Sequence, residues 1–232
     1  MSSDYPQLIV ALSSFAAPVL AAIVLKRKLV WLVTAVCIGL LLGATGATFV
    51  SYVSAQTRPA RTIDAPFLMA SYFYPSGWMG DGEWGKKNLN VIAQHRSSNR
   101  VHDTDNACIR IEYRPGSRGW AGVYWQYPDG NWGEFPGTRV RDANSISFWA
   151  RGESGGELVE FKAGGIRGNG LPYQDSFEKT NGPVSLTDQW VRYEIDLREC
   201  DLSHILGAFC CVFTKEGNPQ GLVIFVDDIR YE

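Results

Sequence analysis

Residues 145–151, Ser-Ile-Ser-Phe-Trp-Ala-Arg, decide the fold: Ile146, Phe148 and Ala150 alternate with Ser145, Ser147 and Arg151. A period of two puts the apolar set on one side of an extended chain and identifies a half-buried strand. The same alternation recurs in Cys108-Ile109-Arg110-Ile111-Glu112-Tyr113 and in Val191-Arg192-Tyr193-Glu194-Ile195-Asp196-Leu197. Further strands are expected at Gly122–Tyr127, Leu158–Ala163, Ala208–Phe213 and Leu222–Tyr231. Turn signals separate them: Pro128-Asp129-Gly130-Asn131, the run from Gly152 to Gly156, Asn181-Gly182-Pro183 and Gly217-Asn218-Pro219. Short strands at this spacing, with no long amphipathic helix between them, predict an all-β antiparallel sandwich or barrel, and a two-sheet jelly roll is the architecture expected. No internal repeat or low-complexity tract is present, which excludes propellers and solenoids.

Upstream of these strands the chain is a different material. Of its 232 residues 45% are hydrophobic and 20% charged, for a formal net charge of −2. Residues 1–55 carry only Asp4, Lys26, Arg27 and Lys28, leaving 23 acids against 19 bases beyond them. Neither part has the basic excess that nucleic acid demands, and the chain is too apolar to be disordered. Gln7–Leu25 offers 19 residues without a charge and Leu29–Gln56 a further 28. Each is long enough to cross about 30 Å of hydrocarbon as a helix. A cleaved signal peptide ending at Val53-Ser54-Ala55 is the competing reading. It is disfavoured because the basic cluster follows a complete spanning run instead of preceding a short one.

Residues 1–55 are thus expected to form a transmembrane helical hairpin, with spans at about 7–25 and 29–53. The tight turn Lys26-Arg27-Lys28 is its most basic point and should remain cytoplasmic. That orientation places both termini and the large domain on the periplasmic side of a bacterial inner membrane. Gly39 and Gly43, with Ala47 on the same face, would let another helix approach closely, either the first span or one from a different transmembrane subunit. Neither span holds an ionisable residue at depth, so transport and proton relay are not expected. Residues 56–66, with Pro59 and Pro66, read as an extended linker, and residues 67–232 as one extracytoplasmic domain.

Cys108, Cys200, Cys210 and Cys211 lie in that domain and allow three complete pairings. Adjacent strand residues point to opposite faces, so Cys210 and Cys211 should not pair with each other. A bridge from Cys200 to either one, or four free thiols packed as small apolar groups, both fit the spacing.

The runs Ile146-Ser147-Phe148-Trp149-Ala150-Arg151-Gly152, Leu186-Thr187-Asp188-Gln189-Trp190-Val191-Arg192-Tyr193-Glu194-Ile195-Asp196-Leu197 and Ile224-Phe225-Val226-Asp227-Asp228-Ile229-Arg230-Tyr231 resemble the galactose-binding-like β-sandwiches that include many carbohydrate-binding modules. The resemblance covers residues 66–232 and none of the hairpin. It implies a jelly roll that holds any ligand on a concave sheet face or at the loop edge. It also implies a structural calcium near the first and last strands, with Asp227 or Asp228 as the matching carboxylate. The alternative for these two is to close a strand and bond backbone amides.

Within Trp120-Ala121-Gly122-Val123-Tyr124-Trp125-Gln126-Tyr127 the alternation puts Trp120, Tyr124 and Gln126 on one face and Trp125 and Tyr127 on the other. One set should be core. The other would form a platform for sugar, because the apolar C–H face of a pyranose matches a flat π surface, with Trp132 in the loop Gly130-Asn131-Trp132-Gly133 as its rim. The bland reading places these rings in the core. His95, His102 and His204 sit in no metal-binding spacing and beside no nucleophile motif. Glu157 with Glu160, or Glu134 with Asp129, would serve as a glycosidase pair only at a separation the sequence does not fix. The chain is therefore expected to be non-catalytic. The first expectation is an accessory or scaffolding subunit of a larger membrane complex, photosynthetic or respiratory, and the alternative is a membrane-tethered glycan-binding protein.

Overall fold

The computed structural model describes residues 61–83, 88–94 and 108–232. Both apolar runs, and with them Gly39, Gly43 and Ala47, lie outside the described residues, as do Trp84, His95 and His102. Among the described residues no helix is long and apolar enough to cross a membrane.

Among the described residues thirteen strands run in chain order: β1 (Arg61–Asp64), β2 (Phe67–Leu68), β3 (Tyr74–Gly80), β4 (Leu89–Gln94), β5 (Cys108–Tyr113), β6 (Trp120–Gln126), β7 (Thr138–Arg141), β8 (Ser145–Gly152), β9 (Leu158–Gly164), β10 (Glu178–Ser185), β11 (Val191–Asp196), β12 (Gly207–Thr214) and β13 (Leu222–Tyr231). One antiparallel sheet has the order β10-β9-β12-β6-β3, and a second the order β11-β8-β13-β5-β4, with β2 added to the end of β13. The two pack face to face as a sandwich, the arrangement the alternating strands call for.

The core is where the inward residues of the two sheets meet. Phe148 of β8 lies against Phe161 of β9 at 4.6 Å between ring centroids and against Phe209 of β12 at 5.0 Å, and Trp125 of β6 packs edge-on to Phe209 at 5.3 Å. Each ring removed from water contributes about 2 kcal/mol. On β8 the parity read from the sequence holds: Ile146, Phe148 and Ala150 are buried in the cluster.

Three stretches depart from expectation. The first strand starts inside residues 56–66: Arg61–Asp64 pairs in parallel with Thr138–Arg141. Its guanidinium fixes it, lying 3.6 Å from the Tyr127 ring centroid while Nη2 donates to the Tyr72 carbonyl at 2.5 Å. In Arg-Thr-Ile-Asp only Ile63 is buried, so the strand shows no apolar period. The signal Asn181-Gly182-Pro183 is not a turn between strands. It lies within edge strand β10, where the register against β9 shifts between Thr180 and Pro183, because an edge tolerates a proline and a bulge. Finally, Tyr-Pro-Ser-Gly-Trp-Met-Gly forms edge strand β3 despite its proline and two glycines.

Candidate functional site

The five-stranded sheet turns Ala121, Val123 and Trp125 of β6 into the core, which leaves Trp120, Gly122, Tyr124 and Gln126 on its outer face. Direct pairing extends that face. Cys210 of β12 lies opposite Tyr124 and Lys162 of β9 opposite Cys210, while Val212 and Glu160 continue the row through Gly122. Thr180 and Glu178 complete it on β10, the Thr180 hydroxyl donating to Glu160 Oε1 at 2.8 Å and Lys162 Nζ lying 2.7 Å from Glu178 Oε1.

The predicted platform residues share this face but not its exposure. Trp120 is 38% exposed, whereas Tyr124 is 6% and Gln126 0% exposed. The platform expected from Trp120, Tyr124 and Gln126 together is therefore open only at Trp120. The cause is the loop after β6. Asn131 ties it into a knot: its Oδ1 accepts the amides of Gly133 and Phe135 at 3.1 and 3.2 Å, and its Nδ2 donates to the Tyr127 and Phe135 carbonyls. Gln126 Nε2 donates to the Asn131 carbonyl at 2.9 Å, and Trp132 lies edge-on to Tyr124 at 6.0 Å. The rim residue read from the sequence is thus a cover for Tyr124.

A buried carboxylate holds the other side of this cover. Asp175 Oδ2 accepts the Ile166 amide at 2.7 Å, and its Oδ1 accepts the amides of Leu206 and Gly207 at 2.5 and 3.3 Å. Burial pushes its carboxyl up to about 7 even against these three donors. Two residues before it, the Tyr173 amide donates to the Gly133 carbonyl at 3.1 Å, so the segment that Asp175 pins also props the loop bearing Trp132. Tyr124 donates its hydroxyl to the Gly164 carbonyl at 2.9 Å, and burial raises both its phenol and the Cys210 thiol beneath it.

The open part of the face is a cleft of about 590 Å³ lined by Ser76, Trp78, Met79, Glu83, Trp120 and Trp132. Two indoles, Trp120 and Trp132, and the Met79 thioether supply its apolar wall, while Trp78, paired with Val123, packs toward the core; a hydroxyl and a carboxylate supply hydrogen bonds. Glu83 Oε2 lies 2.8 Å from Arg118 Nη1. The Arg118 amide in turn donates to Asp81 Oδ1, while Gly116 N–H and the Tyr113 hydroxyl donate to Asp81 Oδ2. Burial works to raise the Asp81 carboxyl, but these donors outweigh it and hold it below the ordinary value. Four of the lining residues come from β3 and the turn after it, which the sequence reading did not assign. Trp78 stood out as a tryptophan, but without a strand around it the side it would take was not readable.

Asp227 and Asp228 lie at a bulge in β13, where Asp228 takes a left-handed φ of 50°. Asp227 Oδ1 accepts the Asp228 amide at 2.8 Å, and Asp228 Oδ1 lies 2.8 Å from Arg230 Nε. These carboxylates close the strand, as in the alternative reading, and a guanidinium beside Asp228 opposes a divalent cation. Among the described residues no three acidic, histidine or cysteine side chains gather as a metal site. Among the described residues Cys200, Cys210 and Cys211 form no disulfide. His204 lies in the loop before β12, stacked on Tyr173 at 5.8 Å.

No protein-family model and no curated protein matches the chain. Among solved structures, the chain is similar to the family 11 carbohydrate-binding module of the cellulosomal cellulase Lic26A-Cel5E of Clostridium thermocellum, at 17% identity and a TM-score of 0.39, over 68% of this chain and 95% of that one. It is also similar to the family 30 carbohydrate-binding module of the cellulosomal cellulase Cel9D-Cel44B of the same organism, at 17% identity and a TM-score of 0.41, over 73% and 93%. A third is a module described as TmCBM61, solved with β-1,4-galactotriose, at 19% identity and a TM-score of 0.36, over 70% and 92%. Likeness of this size identifies neither a family nor a ligand.

Proposed function

We propose that the chain is a non-catalytic glycan-binding protein, its sandwich presented on the periplasmic face of a bacterial inner membrane by the two-helix anchor read from residues 1–55. The observation that carries the binding role is the opening of Trp120 and Trp132, with the Met79 thioether, on one cleft at the edge of a sheet, Trp120 remaining 38% exposed. Indoles that serve only packing lie in a core; here Trp125 does that, at 2% exposure. Flat aromatic walls with a few hydrogen-bonding groups between them suit a pyranose, whose C–H face stacks while its hydroxyls reach Ser76 and Glu83.

Among the described lining residues Glu83 is the only ionisable side chain, and it is spent on Arg118. A hydrolase would need a second group to act with it as acid or base. The test is a panel of envelope and plant-type oligosaccharides against the full chain in mild detergent, read by tryptophan fluorescence and calorimetry. Saturable binding lost in Trp120→Ala supports the proposal, and no binding across the panel defeats it.

A second reading, an accessory or scaffolding subunit of a larger membrane complex, is favoured by one sequence feature. Anchoring needs a single helix, yet a second is expected, with Gly39, Gly43 and Ala47 on one face for contact with other transmembrane subunits. Co-purification with those subunits in mild detergent, abolished by Gly39→Leu with Gly43→Leu, is its expected outcome; recovery of the wild-type chain alone counts against it.

A further inference from the structure

A second cavity, of about 430 Å³, opens inside the sandwich and shares no residue with the cleft. The bulge in β13 makes it. As far as Val226 that strand pairs with β5, and from Arg230 it pairs with β2, while β8 runs along its other edge. Among the described residues no strand pairs with Asp227, Asp228 or Ile229 on the β5 side, so the sheet is split there, where Asp228 takes its left-handed φ. Ala93, Ile109 and Val226 stand in register across β4, β5 and β13 and line the space; Met69 and Phe73 add to this lining, and Pro75 reaches it from the other sheet. The middle of the sandwich is filled by touching rings, Phe148 against Phe161 and Phe209. At this end alanine and proline stand among the lining residues, and a space stays open.

Apolar side chains dominate these walls, and Asp227 and Asp228 mark one end. Both carboxylates are engaged, Asp227 with the Asp228 amide and Asp228 with Arg230. No cation stands among the described lining residues, so nothing inside the cavity matches an anion. Water finds few partners against such walls, whereas an apolar molecule removes both its own surface and theirs from water. The volume lies within the range of about 300–1,000 Å³ usual for small-molecule sites. The segment that joins β4 to β5 supplies no filler from the chain itself, since residues 95–107 hold Val101 as their one large apolar side chain. We propose that the cavity is a binding site for an uncharged aliphatic chain, the tail of a lipid-like molecule whose polar end stays at the β13 bulge. A flexible tail suits it better than a rigid ring, because branched aliphatic residues and the Met69 thioether wall it and adapt around a chain. The site is separate from the glycan cleft, and either can fail without the other.

The probe is decanol carrying a diazirine in its chain, irradiated with the full protein in a steroid-type detergent, which brings no linear tail of its own. Adducts mapped by peptide mass spectrometry should saturate and should fall on residues 69–75, 91–93 and 226–229. Unlabelled decanol should displace the probe, and hexanol, shorter by four methylenes, should need about fiftyfold more free alcohol or higher to do the same. Ala93→Trp brings an indole into the opening from an exposed position on β4 and should lower the adducts at these sites by about tenfold or more, with circular dichroism showing that the variant folds. Adducts scattered over the surface, or unchanged in a folded Ala93→Trp, overturn the proposal. So does a wild type that takes no probe while Ala93→Trp melts at a higher temperature, which makes the cavity a plain packing defect. A wild type that is dimeric and a variant that is monomeric give the space to a second copy of the chain and overturn it as well. Should Ala93→Trp fail to fold, the wild-type competition decides alone: hexanol that displaces the probe as well as decanol does defeats the assignment of an aliphatic tail.

Discussion

The two ends of strand β6 face the same way and have opposite fates. Trp120 at one end stands open beside Met79. Tyr124 and Gln126, two and three turns of the same alternation further on, are sealed beneath Trp132, the Asn131 knot and the segment that Asp175 pins. The pleat sets which side a residue takes; whether that side meets water is set by loops that cross it, far away in sequence. The strand therefore divides, with the proposed recognition surface at its open end and a polar second core at its closed one.

The sharpest way to break this comparison is to remove the pin of the closed end. Asp175→Ala leaves three buried amides without an acceptor and should cost about 3 kcal/mol in a urea titration. A smaller loss, under about 1 kcal/mol, would mean that water replaces the carboxylate and that the closed end is not a core at all. The same residue sets a pH dependence. Its carboxyl sits at about 7 in the fold against an ordinary 3.8, so the folded chain holds this proton more tightly than the unfolded one. The resulting stability is complete below about pH 4 and is lost as pH rises toward about 7. Wild type should show that decline, and Asp175→Asn, which does not titrate, should lack it.

At the open end the expected effect moves from stability to binding. Trp120→Ala should leave the urea midpoint within about 0.5 kcal/mol of wild type, since its ring buries little. It should weaken glycan affinity by about 2 kcal/mol, roughly thirtyfold. Trp132→Ala should do both, because its ring lines the cleft and covers Tyr124. A Trp120→Ala variant that loses stability but keeps its affinity would reverse the assignment of the two ends.

Much of this was legible in the chain. The strands at 108–113, 145–151 and 191–197 emerge where they were expected because each turns alternate residues toward the core, which writes a period of two into the residues, although on β8 the intervening Ser145 and Ser147 are buried as well. What was not legible obeys other constraints. Edge strands β3 and β10 carry proline and glycine that an interior strand would reject, and β1 has one buried residue and so no period. For the site, the alternation of 120–126 gave the correct face, but its covering depends on the knot around Asn131 and on Asp175, some 50 residues downstream. Gly77 shows the constraint on β3 most plainly. A Cβ there would lie 2.6 Å from Gln126 Cδ, so glycine is what lets the edge strand close over the sealed end. Gly77→Ala should cost about 1–2 kcal/mol by urea titration through that overlap and should disturb the cleft through Ser76 and Trp78 beside it. An alanine tolerated without loss would show that Gln126 has room to move.

The smallest effect offers the finest resolution, because Cys210 and Cys211 sit on opposite faces of β12. Cys211 belongs to the sandwich core and Cys210 to the floor under Tyr124. Burial raises both thiols, so in the folded chain at pH 8 iodoacetamide should leave both unlabelled while unfolded chain reacts at each. Replacing either by alanine should cost only about 1 kcal/mol, as for a small buried apolar group. Their difference appears only when the cover is loosened. In Asp175→Ala the loop bearing Trp132 loses its prop and Cys210 should become reactive, whereas Cys211, held between the sheets by Phe209 and Phe213 on its own strand, should stay protected. Mass spectrometry of the labelled peptide separates the two sites. Equal labelling would mean that loosening spreads through the whole sandwich and that the closed end of β6 is one piece with the core.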